Sequence, residues 1–167
     1  IAGVGTYTLE ILEDLPDVDV IIVPIGGGSG ASGACIVAKS INPKIKVIGV
    51  QSEQAPAVYL SWKEGEIVEA PMRSHAEGLA TGSGYQTTLD ILTEQLDDFV
   101  LVSDDEMDQA VILHLENTHN LTEHAGAASL AGAVKIKDQL AGKKVVLIMS
   151  GGNLSMQQLK ELLDKHA

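Results

Sequence analysis

The run Val20-Ile21-Ile22-Val23-Pro24-Ile25, followed at once by Gly26-Gly27-Gly28-Ser29-Gly30-Ala31-Ser32-Gly33, leaves a chain few ways to fold. The short apolar, largely β-branched run reads as a buried strand. Consecutive glycines cannot extend it, so the chain turns, and Ala34 to Ile41 then reads as a helix stopped by Asn42-Pro43. Lys46-Val47-Ile48-Gly49-Val50 is a second short buried strand, and the whole is a βαβ unit that implies a parallel sheet. A glycine turn between strand and helix leaves several backbone N–H groups unpaired and converging beside the positive end of a helix dipole. That is a cradle for a phosphate group. Glycine suits it because side chains would block the approach and because the turn is expected to require φ > 0.

The rest of the chain extends this pattern. Thr6 is expected to cap a first helix with Leu9, Leu12 and Leu15 at three-residue spacing, ended by Pro16-Asp17. A helix over 56–62 is expected to close at Glu64-Gly65. From Glu66 to Tyr85 there is no period, and a long irregular loop in a compact domain is usually functional or mobile. Thr88 to Gln95 reads as a helix and Phe99 to Val102 as a strand. Ser103 and Glu106 form a capping box ahead of a helix whose apolar face is Met107, Ala110, Val111, His114 and Leu115. Ala125 to Leu140, rich in alanine and glycine, reads as one closely packed helix. Val145 to Met149 is the most hydrophobic strand, and it too ends in a glycine turn, Ser150-Gly151-Gly152-Asn153, before a terminal helix with Leu159, Leu162 and Leu163. The fold class is therefore α/β, an open, mostly parallel twisted sheet with helices on both faces. Strand ends with glycine turns are where such sheets bind ligands.

At 167 residues the chain is about one domain long, able to bury roughly two-thirds of its unfolded surface. The single Cys35 excludes a disulfide framework and a CxxC metal site, and a buried inert thiol is the expectation for it. With 11 basic against 23 acidic residues the net charge is −12, which disfavours nucleic acid and anionic membrane as partners, so any anion must be captured locally. No apolar stretch is long enough to span a bilayer and no basic-then-apolar leader opens the chain, so a cytoplasmic location is expected. The chain opens at Ile1 rather than methionine, which is expected of a piece of something longer.

The glycine loop also fits a dinucleotide fingerprint, as Gly26-x-Gly28-x-x-Ala31 and as Gly28-x-Gly30-x-x-Gly33, with Glu53 near the end of the next strand as the ribose-binding acid. That alternative leaves the Ser150 turn unused. A P-loop is excluded by the missing Lys-Ser/Thr pair, and a nucleophile elbow by the absence of Gly-x-Ser-x-Gly. His114, His119 and His124 recur every five residues, which rotates each by about 140° on a helix, so they do not share a face. They are read as surface or core histidines. The acids Asp97-Asp98 and Asp104-Asp105-Glu106 are read as solvated caps, and no metal site is expected.

Three segments together carry a resemblance: Val23-Pro24-Ile25-Gly26-Gly27-Gly28-Ser29, Thr122-Glu123-His124-Ala125-Gly126-Ala127 and Met149-Ser150-Gly151-Gly152-Asn153. In order and spacing they resemble the pyridoxal-phosphate enzymes of fold type II, closest to the threonine/serine dehydratase and serine racemase branch. Gly3-Val4-Gly5-Thr6-Tyr7-Thr8-Leu9-Glu10-Ile11 looks like the helix that precedes the cofactor strand there, so the resemblance covers the whole chain.

The resemblance implies that backbone N–H groups of Gly26, Gly27, Gly28, Ser29 and Gly30 hold the phosphate of pyridoxal 5'-phosphate. It implies that Ser150 contacts the pyridine nitrogen and that Gly78 and Glu123 line the ring. The family usually has glycine where Ser29 stands, and tends to have Asp-Gly where this chain has Glu77-Gly78. Some members carry a cation site whose carboxylate positions are Gln51 and Ala57 here, so that ion is not expected. Residues 1–167 would form one cofactor-binding unit, the large domain of the family in incomplete form. The family's N-terminal half, with the lysine that attaches the cofactor and the loop that grips the substrate carboxylate, has no counterpart in this sequence. Lys39, Lys44 and Lys46 do not match that lysine. The activity implied for the intact enzyme is dehydration and deamination of L-threonine or L-serine to a 2-oxo acid and ammonia, with racemisation or another β-replacement as the alternative. The isolated chain is expected to be inactive. The expected partners are an amino-acid substrate, the absent N-terminal half and a second copy in a homodimer. From the short run after Ser150 no regulatory domain is expected, and a catabolic or racemase-like type is expected with that.

Overall fold

The computed structural model describes residues 1–166. Four strands, β1 (Val20–Pro24), β2 (Lys46–Ser52), β3 (Asp98–Val102) and β4 (Val145–Leu147), form one parallel sheet in the order β3-β2-β1-β4. Among the described residues eight α-helices surround it: α1 (Ala2–Asp14), α2 (Ser29–Ile41), α3 (Ala57–Glu64), α4 (Gln86–Gln95), α5 (Asp104–Thr118), α6 (His124–Lys135), α7 (Lys137–Leu140) and α8 (Met156–His166). The fold is α/β with helices on both faces, as the sequence pattern implies.

The alternation of β1 explains the two-sided cover. Ile21 and Val23 face a core built with α1, α2 and α4, through Leu12, Ala34, Cys35 and Leu92. Val20 and Ile22 face a second core built with α5 and α6, through Met107, Val111, Ala127 and Ala128. Each fully buried aliphatic side chain contributes about 1.5–3 kcal/mol, so β1, buried along nearly its whole length, is the anchor of the sheet. From β1 the chain crosses to β2 on one side, and β4 returns on the other, with Val20 paired to both Lys46 and Val145. The two connections diverge at the carboxyl end of β1, which opens a crevice there.

Local departures have local causes. The first helix begins at Ala2, and Thr6, expected as its cap, lies inside it with its hydroxyl donating to Gly3 O at 2.8 Å. α2 begins at Ser29 rather than Ala34, so the second half of the glycine run forms the first turns of the helix. The run from Ala125 to Leu140 is two helices, broken at Ile136 (φ −108°, ψ 20°). β4, the most hydrophobic strand in sequence, is only half-buried because it is the edge beside β1. His114 and Leu115 of the expected apolar face of α5 are half-buried, and of the terminal leucines only Leu162 is buried. The capping box at Ser103 is present as read: Ser103 Oγ accepts from Glu106 N at 3.1 Å and Ser103 N donates to Glu106 Oε2 at 2.7 Å. Between α3 and α4 the only helical turn among the described residues is a 3-10 turn at Glu77–Leu79.

Candidate functional site: a cleft at the carboxyl end of the sheet

The crevice beside β1 is a cavity of about 740 Å³. Seven of the residues singled out from sequence line it: Gly26, Gly27, Gly28, Ser29, Gly30, Gly78 and Ser150. α1 contributes Val4, Tyr7 and Ile11, and the end of β4 contributes an apolar wall from Val146 to Met149. No lysine is among the lining residues.

The loop is shaped by two glycines for different reasons. Gly28, the N-cap of α2, has φ +91°, in the left-handed region that an L side chain rarely adopts. Gly26 has an ordinary φ, but a Cβ there would run into the carbonyl oxygen of Gly78. The first donor of the α2 ladder beyond the cap is Ser32, whose N–H bonds Gly28 O at 2.9 Å, so the N–H groups of the first turn are left to other acceptors. The loop carbonyls are meanwhile tied back by hydroxyls. Thr88 donates to Gly27 O at 2.8 Å, Tyr7 to Gly30 O at 3.1 Å and Thr81 to Gly26 O at 3.5 Å. With acceptors engaged and donors uncommitted, the loop presents N–H groups to the cleft at a helix N-terminus, where a phosphate dianion gains most. Burial raises the Tyr7 hydroxyl above its ordinary pKa and keeps it a donor. Tyr7, Thr81 and Thr88 escaped the sequence reading, because each lies far along the chain from the carbonyl it holds.

The second glycine turn joins the same site through backbone approach. Glu123 N and Thr122 Oγ1 both donate to Gly151 O, at 3.1 and 2.9 Å, which pins the start of α6 to the Ser150 turn. A Cβ on Gly78 would lie 2.8 Å from Ala125 Cβ. The Gly26 loop, the Gly78 turn, the start of α6 and the Ser150 turn thus pack in sequence against one another. Glu123, the eighth residue singled out, does not line the cleft. Its carboxylate packs against Gly151 behind the wall, in a smaller hollow shared with Gly78. Ser150 is exposed to the cleft at the end of β4.

At the position of the cation site, Gln51 is fully buried and its amide is engaged: Oε1 accepts from Tyr59 N at 3.0 Å and Nε2 reaches Thr81 Oγ1 at 3.5 Å. Glu53, the ribose acid of the dinucleotide alternative, is not among the residues lining the cleft. The histidines do not converge with each other as a sequence triplet. His124 instead meets His75, their ring centroids 4.4 Å apart, beside the buried Asp108. Burial, and then the neighbouring His75, hold His124 below the usual imidazole pKa. Cys35 is buried, and desolvation pushes its thiol up to about 12.

The cleft fits pyridoxal phosphate in its donor chemistry: a glycine cradle that a side chain would fill, a helix N-terminus for the phosphate and a neutral hydroxyl at the far end. Comparison with known proteins agrees. A family model described as pyridoxal-phosphate dependent enzyme matches residues 1–151. The chain is 40% identical over 167 residues to the L-threonine ammonia-lyase of Thermotoga maritima, covering 99% of this chain and 41% of that protein. It is 39% identical over 169 residues to the serine racemase of Dictyostelium discoideum, covering 98% and 52%. The processed form of threonine deaminase isoform 2 from Solanum lycopersicum superposes with a TM-score of 0.92 at 29% identity, over 98% of this chain and 46% of that one. The chain therefore spans about half the length of the relatives it matches. It belongs to the pyridoxal-phosphate-dependent enzymes of fold type II, in the branch that holds the threonine ammonia-lyases and serine racemases.

Proposed function

We propose that this chain is the cofactor-binding half of an ammonia-lyase that converts L-threonine or L-serine to a 2-oxo acid and ammonia. The observation that carries the reading is the single cleft that gathers the glycine cradle, Gly78 and the Ser150 hydroxyl at the carboxyl end of β1 and β4. Backbone N–H groups from Gly26 to Gly30 bind the phosphate, aided by the α2 dipole, which is worth about 0.3–1 kcal/mol to an anion there. Ser29 adds a hydroxyl. Gly78 leaves the cleft wall thin, and Glu123 steadies that wall from behind through the Gly151 turn.

Pyridoxal phosphate, when bound, supplies the electron-withdrawing ring that stabilises negative charge on the substrate α-carbon. Ser150 sets the strength of that pull. A hydroxyl, unlike a carboxylate, does not hold a pyridine nitrogen protonated, and the weaker sink suits loss of a β-hydroxyl better than amino transfer. The apolar wall from Val146 to Met149 excludes water from one side of the cleft. The lysine that attaches the cofactor and the groups that grip the substrate carboxylate come, in this reading, from the remaining half of the protein. That half closes on the β4 edge of the cleft, and the complete protein acts as a cytoplasmic homodimer. The chain by itself does not turn over.

The test is an assay of the full-length protein for 2-oxo acid and ammonia from L-threonine and L-serine, with chiral analysis of remaining serine. Release of 2-oxo acid is the expected result. D-serine without 2-oxo acid would move the assignment to racemisation, and tight NAD binding with neither product would refute it.

A further inference from the structure

Asp108 on α5 is 5% exposed and sits at the centre of a ring of nitrogen donors outside the cleft. His75 Nε2 lies 2.9 Å and His124 Nε2 3.4 Å from the same carboxylate oxygen, Oδ1. The other oxygen, Oδ2, bonds Lys165 Nζ at 2.8 Å and faces His166 Nε2 at 3.7 Å. We infer that His75, Asp108 and His124 form a binding site for one divalent transition-metal ion of the zinc class. The ion would staple the irregular 66–85 segment, which carries Gly78, to α5 and to the start of α6.

The donor set is two imidazoles and one carboxylate, the mixture that takes zinc and its neighbours rather than magnesium or calcium. One ligand atom from each of the three residues lies within 4.8 Å of the others. Around a tetrahedral ion with bonds of about 2.0–2.1 Å, ligand atoms stand about 3.3 Å apart. The His124–Asp108 edge already has that length, and the half-exposed His75 ring can rotate to close the longest edge. His124 is more than nine-tenths buried, and its Nε2 stands 3.4 Å from Asp108 Oδ1, longer than a usual hydrogen bond and close to the spacing of two ligand atoms on one ion.

The surroundings are those of a metal site. His75 Nδ1 is 3.3 Å from Asp104 Oδ2, the place from which a second carboxylate orients a ligating imidazole whose Nε2 faces the ion. Asp104 is itself held, accepting from His75 N at 2.9 Å and Ser74 Oγ at 2.6 Å. Asp105 and Asp108 share one ammonium, that of Lys165, so the two carboxylates carry excess negative charge that a divalent ion offsets. A cavity of about 340 Å³ lined by His75, Asp108, His124 and Glu161 gives access from solvent and room for a water ligand.

The test is titration of the full-length protein, freed of pyridoxal phosphate, with ZnCl2 by calorimetry and with CoCl2 by visible absorption. Saturation at one equivalent is expected, with a cobalt d–d spectrum of a tetrahedral or five-coordinate nitrogen and oxygen site. His75→Gln and Asp108→Asn should each abolish the spectrum, and Asp104→Asn should weaken zinc by about 10–100-fold. Magnesium in excess should not displace cobalt. If Asp108→Asn does not fold, the half-exposed His75→Gln decides alone. No saturable zinc binding, or binding unchanged in His75→Gln, overturns the proposal. Because cofactor and substrate are absent from the titration, its outcome is separate from that of the ammonia-lyase assignment.

Discussion

Gly28→Ala tests directly whether the cradle depends on backbone conformation. At φ +91° an alanine meets the left-handed penalty of about 1–2 kcal/mol. Its Cβ would also lie 3.1 Å from Thr88 Cβ and Oγ1 and 3.2 Å from Leu92 Cδ1. Thr88 cannot give way freely, because its hydroxyl holds Gly27 O at 2.8 Å, and a net hydrogen bond of about 1 kcal/mol weakens if it does. The expected loss is about 2–3 kcal/mol. In a chain of this size each kcal/mol moves Tm by about 2–4 °C, so thermal unfolding followed by circular dichroism should show a drop of about 4–12 °C. Gly65→Ala is the matched control, since Gly65 has φ +76° with nothing within 4 Å of its Cβ position. It should lose only the backbone part, about 1–2 kcal/mol. Equal losses in the two variants would refute the crowding at Thr88 and Leu92. Losses under about 1 °C in both would refute the conformational argument itself.

Further outcomes follow from single contacts. Ser103→Ala removes the acceptor of Glu106 N–H and should cost about 1 kcal/mol, read as a Tm lowered by about 2–4 °C. Cys35 in the native chain should resist Ellman's reagent at pH 8 and react at once in guanidinium, because burial holds the thiol protonated up to about 12. Since that value is raised over the ordinary thiol value of about 8.5, the contribution of Cys35 to stability is complete below pH 8.5 and is lost as pH climbs through about 12. Ser150→Ala should leave Tm unchanged, as the side chain is exposed, yet weaken retention of pyridoxal phosphate in dialysis by about 2–10-fold, the worth of one neutral hydrogen bond. A destabilised Ser150→Ala with unaltered cofactor retention would contradict its assigned place.

The sequence by itself determined what is local. The apolar run into Gly26–Gly30, the capping box at Ser103 and the left-handed stop at Gly65 each depend on contacts within a few residues, so residue type and spacing carry them. The glycine-ended strands were enough to expect a cleft at the carboxyl end of a parallel sheet, where the structure has one. Tertiary structure alone decided which groups meet. Gly26 is confined by the carbonyl of Gly78, the loop carbonyls are held by Tyr7, Thr81 and Thr88, and Glu123 stands behind the wall rather than in it. It also decided that His124 pairs with His75 and Asp108 rather than with His114 and His119, its neighbours in sequence. The physical reason is that periodicity records which face a residue shows, whereas convergence depends on how α1, α5, α6 and the 66–85 segment cross over the sheet. No short-range pattern encodes that crossing.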